Sequence, residues 1–333
     1  MAMTTLSLVT LAQEYRGDVR RNINRRSALL RMLKVVPGEG KNIAWVPEFD
    51  GAFAESYSEG ADVTTYGQDA QKPAILTWGL YRANINVTNL AMDASASSSS
   101  PDGNHQLWAR HLVNSSAKLT STLNSECWVG DGSGTRMIGL STAVDSTGTY
   151  ATIDPAVDTL WKSYEYSTAE AITMAGIRAD LAAIYVQSGD TPDMAGCDPI
   201  VFNKVGALFD NTRRQIESVN GGQGPVKLDA GFRAVECDGT VFFRDKDAPA
   251  DSIFYLNSDE VEIQYLPSAS QEKLIEAAGG EVAADDGFGS ALAKAYKYEM
   301  LAKTGPAEKA EVLFTGSLVV KRRNAHGKRT SIA

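Results

Sequence analysis

The chain has 333 residues, 43% of them hydrophobic and 22% charged; it is long enough to bury a sizeable core, and its composition argues against general disorder. Three cysteines, Cys127, Cys197 and Cys237, stand without CxxC spacing, which argues against a disulfide framework or structural zinc and for a reducing compartment. The net charge of -9 is uneven: residues 1–41 carry eight basic and three acidic groups, residues 321–333 carry five basic and no acidic ones, and the body between them stands at -19.

A basic arm and a basic tail thus flank an acidic body. Such segments read either as docking elements for an acidic neighbour or as a solvated helix and a loose tail. A body this acidic repels phosphate, which speaks against sequence-specific nucleic-acid readout. No apolar run reaches the roughly 18 residues of a membrane span, and the first residues lack the basic and apolar regions of a secretory signal.

In chain order, Leu8, Leu11, Tyr15, Val19, Ile23, Leu30 and Leu33 recur at helical spacing and predict an amphipathic helix over about 4–34. Arg20, Arg21, Arg25 and Arg26 lie on its polar side. Pro37 to Gly40 ends it. The period then changes. Ile43, Trp45, Pro47 and Phe49 alternate, and Asp50-Gly51 is a turn signal. After a polar stretch, alternation returns from Ala74 to Leu90, with Ile75, Thr77, Gly79, Tyr81, Ala83, Ile85 and Val87 expected on one face. The pattern predicts a long hairpin. It carries few large apolar side chains near its tip (Phe53, Tyr57, Val63, Tyr66), so it needs a partner surface.

Residues 91–100 are polar and of low complexity, and Ser100-Pro101-Asp102 is a helix start. The helix is expected to run to about Trp128 as a rod of roughly 40 Å, with Trp108, Leu112, Leu119, Leu123 and Cys127 on one stripe. A second helix is predicted over 169–188, closed by Gly189. A short strand is expected at Pro199 to Phe202, then a helix over about 203–218. Asn220, Gly221, Gly222 and Gly224 mark a loop. Strands are predicted over 232–236, 240–244, 253–256, 293–301 and 311–320, with a polar, acidic stretch over 271–288.

Catalytic signatures are missing. The histidines are His105, His111 and His326. The first two are six apart on the long helix, a poor spacing for one metal. There is no HExxH and no G-x-S-x-G elbow. Gly130-Asp131-Gly132-Ser133-Gly134 is not followed by Lys-Ser/Thr and follows a helix, so it is neither a P-loop nor a dinucleotide fingerprint. No catalytic, cofactor-binding or metal-binding residue is assigned.

The order of parts resembles the major capsid proteins of tailed bacteriophages, with the Hong Kong 97-type fold. The most specific match is Trp128-Val-Gly-Asp-Gly-Ser-Gly-Thr-Arg-Met-Ile-Gly139-Leu140 at the end of the long helix. Asp198-Pro-Ile-Val-Phe-Asn203 and Gly231-Phe-Arg-Ala-Val235 add weaker matches. The resemblance implies an α+β capsid fold: an N-terminal arm (1–40), an extended β-hairpin loop (41–90), a peripheral domain with a long spine helix (91–150 with 280–333), and an axial domain (151–279). It implies hexamers and pentamers that close an icosahedral shell around double-stranded DNA, assembled in the host bacterial cytoplasm and located in the virion capsid. The genome would be enclosed without sequence-specific binding, and no membrane is involved.

Partners implied are a separate scaffolding protein (or an already trimmed chain), a portal, and a decoration or cement protein. Arg20, Arg21, Arg25, Arg26, Phe53, Tyr57 and Tyr66 are the expected intersubunit contacts. The loop of Asn220, Gly221, Gly222 and Gly224 is placed at the capsomer centre. The alternatives are an encapsulin-like nanocompartment shell, from another class a soluble hydrolase, and a tail or baseplate component that would form rings or tubes.

Overall fold

A computed structural model describes residues 27–49, 54–60, 62, 70–96, 103–216, 234–267, 295–303 and 305–333. Helix α1 (Ala28–Met32) buries Ala28, Leu29 and Leu30. Leu33 turns extended, and β1 (Lys34–Pro37) follows. The first helix therefore stops before Leu33. β-Branched Val35 and Val36 and the proline favour a strand here, which pairs in parallel with a distant partner.

The hairpin base is β2 (Ile43–Trp45) and β3 (Glu48–Phe49) going out, β4 (Ala70–Gln71) and β5 (Ala74–Leu76) returning. Ile43 pairs with Leu76, and Glu48 with Gln71. β6 (Gly79–Thr88) continues it. Gly79, Ile85 and Val87 face the core as expected, but Ile75 does not. Ala74 and Leu76 are buried instead, because the Thr77–Trp78 break resets which residues point inward. The segment read as low-complexity is helical in part: α2 (Asn89–Ala96) starts where the Thr88 hydroxyl accepts the Ala91 N–H.

The long helix α3 (Gly103–Val129) has 27 residues. Leu112, Leu119, Leu123 and Cys127 are buried along the expected stripe, and the partly buried Trp108 donates its indole N–H to Tyr298 at 3.0 Å. After α4 (Leu140–Ala143) come β7 (Tyr164–Tyr166) and α5 (Met174–Ser188). α5 starts later than expected, where the Thr173 hydroxyl caps the Gly176 N–H. Gly189 closes it at φ 78°.

The strand expected at 199–202 is the first turn of α6 (Pro199–Ile216), and the strand is β8 (Met194–Cys197) just before it. Pro199 at the first helical position and the Asp198 carboxylate accepting the Val201 N–H at 2.8 Å explain the shift. The remaining elements are β9 (Ala234–Cys237), β10 (Thr240–Arg244), β11 (Ile253–Leu256), β12 (Val261–Tyr265), β13 (Tyr296–Met300), β14 (Ala307–Val320) and β15 (Gly327–Arg329).

Two main sheets result. One runs β1-β12-β14-β13, with β6 also on β14; the other runs β7-β15-β11-β8-β10-β9. α3 packs on β6 and β14, α5 on β7 and β15, and α6 on β10. The sheets cross the expected segment boundaries. β12, within 151–279, pairs with β14 and β1, whereas β15, from the tail, sits inside the second sheet. Trp128, at the end of α3, joins the two halves by packing on Phe254 (5.5 Å) and Phe243 (6.4 Å) of the second sheet.

The Gly-Asp-Gly turn has a steric cause. The Gly139 N–H donates to the Gly130 carbonyl at 2.8 Å, so two backbone segments cross at the helix end. A Cβ on Gly139 would lie 2.5 Å from the Glu126 carbonyl oxygen, and one on Gly130 would lie 2.3 Å from that of Met137. Arg136 braces the turn, donating to both oxygens of Glu126 at 2.9 and 3.0 Å. Gly139→Ala is expected to cost about 1–3 kcal/mol from forced backbone displacement, read as a lower thermal midpoint. A variant as stable as the parent contradicts this crossing.

Candidate assembly surfaces

The hairpin leaves the body from an aromatic anchor. Tyr150 stacks on Trp161 at 6.3 Å, Phe49 meets Trp161 edge-on at 5.9 Å, and Trp45 lies 6.4 Å from Tyr150. Trp45 also donates its indole N–H to the Lys321 carbonyl at 3.1 Å, and Lys72 pairs with Asp158 at 2.6 Å. The base is thus held by its own subunit. A groove of about 480 Å³ runs beside it, between Trp45, Phe49, Leu160, Trp161 and Arg322. Farther out, residues 54–60 are exposed, and Tyr57 is 83% exposed.

Of the sequence-derived contact residues, Tyr57 is described and lies on this exposed stretch. Arg20, Arg21, Arg25, Arg26, Phe53 and Tyr66, and the loop residues Asn220, Gly221, Gly222 and Gly224, lie outside the described residues. On α5, Tyr185 and Val186 present apolar surface, Val186 at 85% exposure.

The basic tail is not a loose extension. All five of its charges are engaged within the subunit. Lys321 pairs with Glu262 at 2.7 Å and Arg322 with Asp190 at 2.6 Å. Lys328 pairs with Asp145 at 2.6 Å and Glu165 at 3.3 Å. Arg323 is fully buried and donates to the carbonyls of Ala143, Thr147 and Gly148 at 2.7, 2.9 and 2.9 Å. Arg329 donates to both oxygens of buried Asp180, at 2.6 and 2.9 Å, and to Glu170 at 2.8 Å. Tyr164 and Tyr255 complete the shell of Asp180, each donating at 3.0 Å. Burial opposes the Arg329 charge, but Asp180 and Glu170 outweigh it and hold the guanidinium above its ordinary value. The charge complementarity between tail and acidic body is therefore satisfied inside one chain.

His326 is fully buried between β14 and β15, and its Nδ1 accepts the Asn257 N–H at 3.1 Å. Burial, with Arg322 nearby, pushes its pKa down to about 3. The folded state therefore binds fewer protons here than the unfolded state. Stability contributed by neutral His326 is complete above about pH 6.5 and is lost as pH falls toward 3, with a slope approaching 1.4 kcal/mol per pH unit. His326→Asn is expected to flatten the fall in thermal midpoint between pH 6.5 and 5; parallel curves for variant and parent contradict the assignment.

Among the described residues, no cluster of three His, Cys, Asp or Glu side chains could hold a metal ion, and no helix is long and apolar enough to cross a membrane. All three cysteines are free and buried, and burial pushes each thiol up, away from a reactive thiolate.

No protein-family model matches the sequence, and no curated protein matches it significantly. Solved structures do. The capsid asymmetric unit of cyanophage A-1(L) superposes at a TM-score of 0.73, with 17% identity over 99% of both chains. The chain has the Hong Kong 97-type capsid fold. The capsid of a native GTA particle matches at 0.60, with 12% identity over 97% of this chain and 96% of that one. The holo-SrpI encapsulin complex from Synechococcus elongatus PCC 7942 also matches at 0.60, with 13% identity over 100% of this chain and 96% of that one. At these identities the likeness is one of fold. It spans nearly the whole of each matched chain.

Proposed function

We propose that this chain is the major capsid protein of a tailed bacteriophage, self-assembling as hexamers and pentamers into an icosahedral shell around double-stranded DNA. The observation that carries the reading is the end-to-end match, over 99% of both chains, with a cyanophage capsid subunit. The match to the encapsulin is lower, at 0.60 against 0.73. In this reading residues 1–40 are the arm, 41–90 the extended loop, 91–150 with 280–333 the peripheral domain and 151–279 the axial domain. The 220–224 loop lies near the capsomer centre. A scaffolding protein, a portal and a decoration protein are the expected partners. Assembly takes place in the host cytoplasm, and the product resides in the virion.

Size-exclusion chromatography of particles from an infected or expressing cell, followed by analysis of their content, tests this. Very large particles that enclose nuclease-protected DNA in the presence of the packaging machinery support it. Particles that enclose a single protein cargo favour the encapsulin reading, and a small oligomer contradicts both.

The arm carries a further expectation. Replacing Arg20, Arg21, Arg25 and Arg26 together with Gln removes four cations that would meet acidic neighbours. Each exposed pair contributes only about 0–1 kcal/mol, but every subunit repeats them. Particle yield is expected to fall severalfold and salt tolerance to drop, with the subunit still folded. Normal yield and unchanged salt tolerance contradict an electrostatic arm contact.

A further inference from the structure

A groove of about 350 Å³ lies between β6 and the middle of α3. Arg82 and Asn84 line it from the strand; His111, Asn114, Ser115 and Lys118 line it from the helix. Among the described residues no carboxylate lines it. Arg82 and Lys118 are exposed, and neither forms an ion pair among the described residues, unlike the tail cations, all of which are engaged. The helix extends the pattern: from Gly103 to Ser125 it contains Arg110 and Lys118 and no acidic residue. In a body carrying -19 this helix stretch is a local reversal of sign, with Glu311 of β14 the nearest acid across the strand, opposite Asn84. The Asn114 side-chain oxygen is buried in the groove wall without a hydrogen-bond partner among the described residues; a phosphate, itself acceptor-only, meets it through a bridging water.

We infer that this groove binds backbone phosphates of double-stranded nucleic acid, without base readout. Two free cations flanked by hydroxyl and amide groups are the usual phosphate-contacting set, and they carry no sequence information. The acidic remainder of the body argues against long stretches of contact, so each subunit grips one or two phosphates and the strength comes from repetition. The inference rests on the shell reading only for the source of the phosphates. An acidic protein segment would also be drawn to the cations, but the groove offers hydroxyls and amides rather than a wide apolar seat for a peptide.

The test uses the full chain as free subunits, in a background with Arg20, Arg21, Arg25 and Arg26 changed to Gln so that the arm does not dominate binding. Anisotropy of a labelled 20-base-pair duplex is measured from 50 to 200 mM salt, for this background and for the same chain with Arg82→Gln and Lys118→Gln added. The added pair should weaken binding about tenfold at low salt and reduce the log–log salt slope by about 2, near 0.9 per lost phosphate contact. Lys303→Gln, an exposed cation elsewhere, should change neither. Inorganic phosphate should compete no better than its ionic strength predicts; saturable competition at low millimolar phosphate would assign the groove to free phosphate instead and overturn the duplex. Equal duplex binding with and without the two groove cations overturns the inference, as does a groove-dependent preference for poly-glutamate over the duplex. Circular dichroism confirms that the variants fold. Particle formation, measured separately on the Arg82→Gln/Lys118→Gln chain, should be retained, so a failed groove and a failed shell are told apart.

Discussion

Replacing Arg329 with Met is expected to destabilise the subunit by about 3–5 kcal/mol, the usual loss when one partner of a buried ion pair is removed. Asp180 is fully buried, and Arg329 donates to both of its oxygens. Without the guanidinium, the carboxylate keeps, among the described residues, the Tyr164 and Tyr255 hydroxyls. The cost is that of an uncompensated charge, not of lost packing. A second variant separates the two: Asp180→Leu with Arg329→Met removes both charges and should be clearly more stable than Arg329→Met alone. Denaturant unfolding of the free subunit measures both. A single variant within 1 kcal/mol of the parent, or a double variant no better than the single, contradicts this account of the tail.

Replacing residues 50–73 with a short Gly-Ser turn should leave a soluble, folded subunit that no longer forms stable particles. The reason is energetic. The large apolar side chains of the segment are Phe53, Tyr57, Val63 and Tyr66, worth about 1.5–3 kcal/mol each when fully buried. Ordering two dozen residues costs about 1–2 kcal/mol per residue for the backbone. Tyr57, exposed in the single chain, contributes only when something covers it. The base at Trp45, Tyr150 and Trp161 is anchored independently, so its fold does not depend on the tip. Limited proteolysis of free subunits and particles gives a parallel readout: cleavage within 54–60 should be fast in the former and suppressed in the latter. Particles from the shortened chain at parental yield, or equal cleavage in both states, contradict an intersubunit role.

Much of the fold was legible because its signals are local. The long helix announces itself by an apolar stripe at helical spacing. Gly130 and Gly139 are dictated by a backbone crossing that no Cβ fits, and Gly132 and Gly134 between them by their positive φ. Strands β10 and β11 show as short apolar runs. What was missed is non-local. β15 reads as a polar, basic tail; its charges are buried because Asp145, Glu165 and Asp180, some 150 to 180 residues earlier, receive them. β12 alternates visibly as Val261, Ile263 and Tyr265, but the charge of Glu262 masks it until Lys321 is placed beside it. At Pro199 the apolar run outweighed a Pro-and-Asp helix start that was the better signal. The assembly surfaces were the least legible part. A hairpin short of apolar surface indicates that a partner is needed, but not which atoms of the neighbour meet it.

The central claim is that many copies of this chain close into a shell, and imaging of the purified assembly tests it most directly. Cryo-electron microscopy of particles formed by the full chain with its scaffold is expected to show closed icosahedral shells built of hexamers and pentamers, with the 54–60 segment of each subunit lying across a neighbour. Open tubes, flat rings or discrete small oligomers under the same conditions would contradict it.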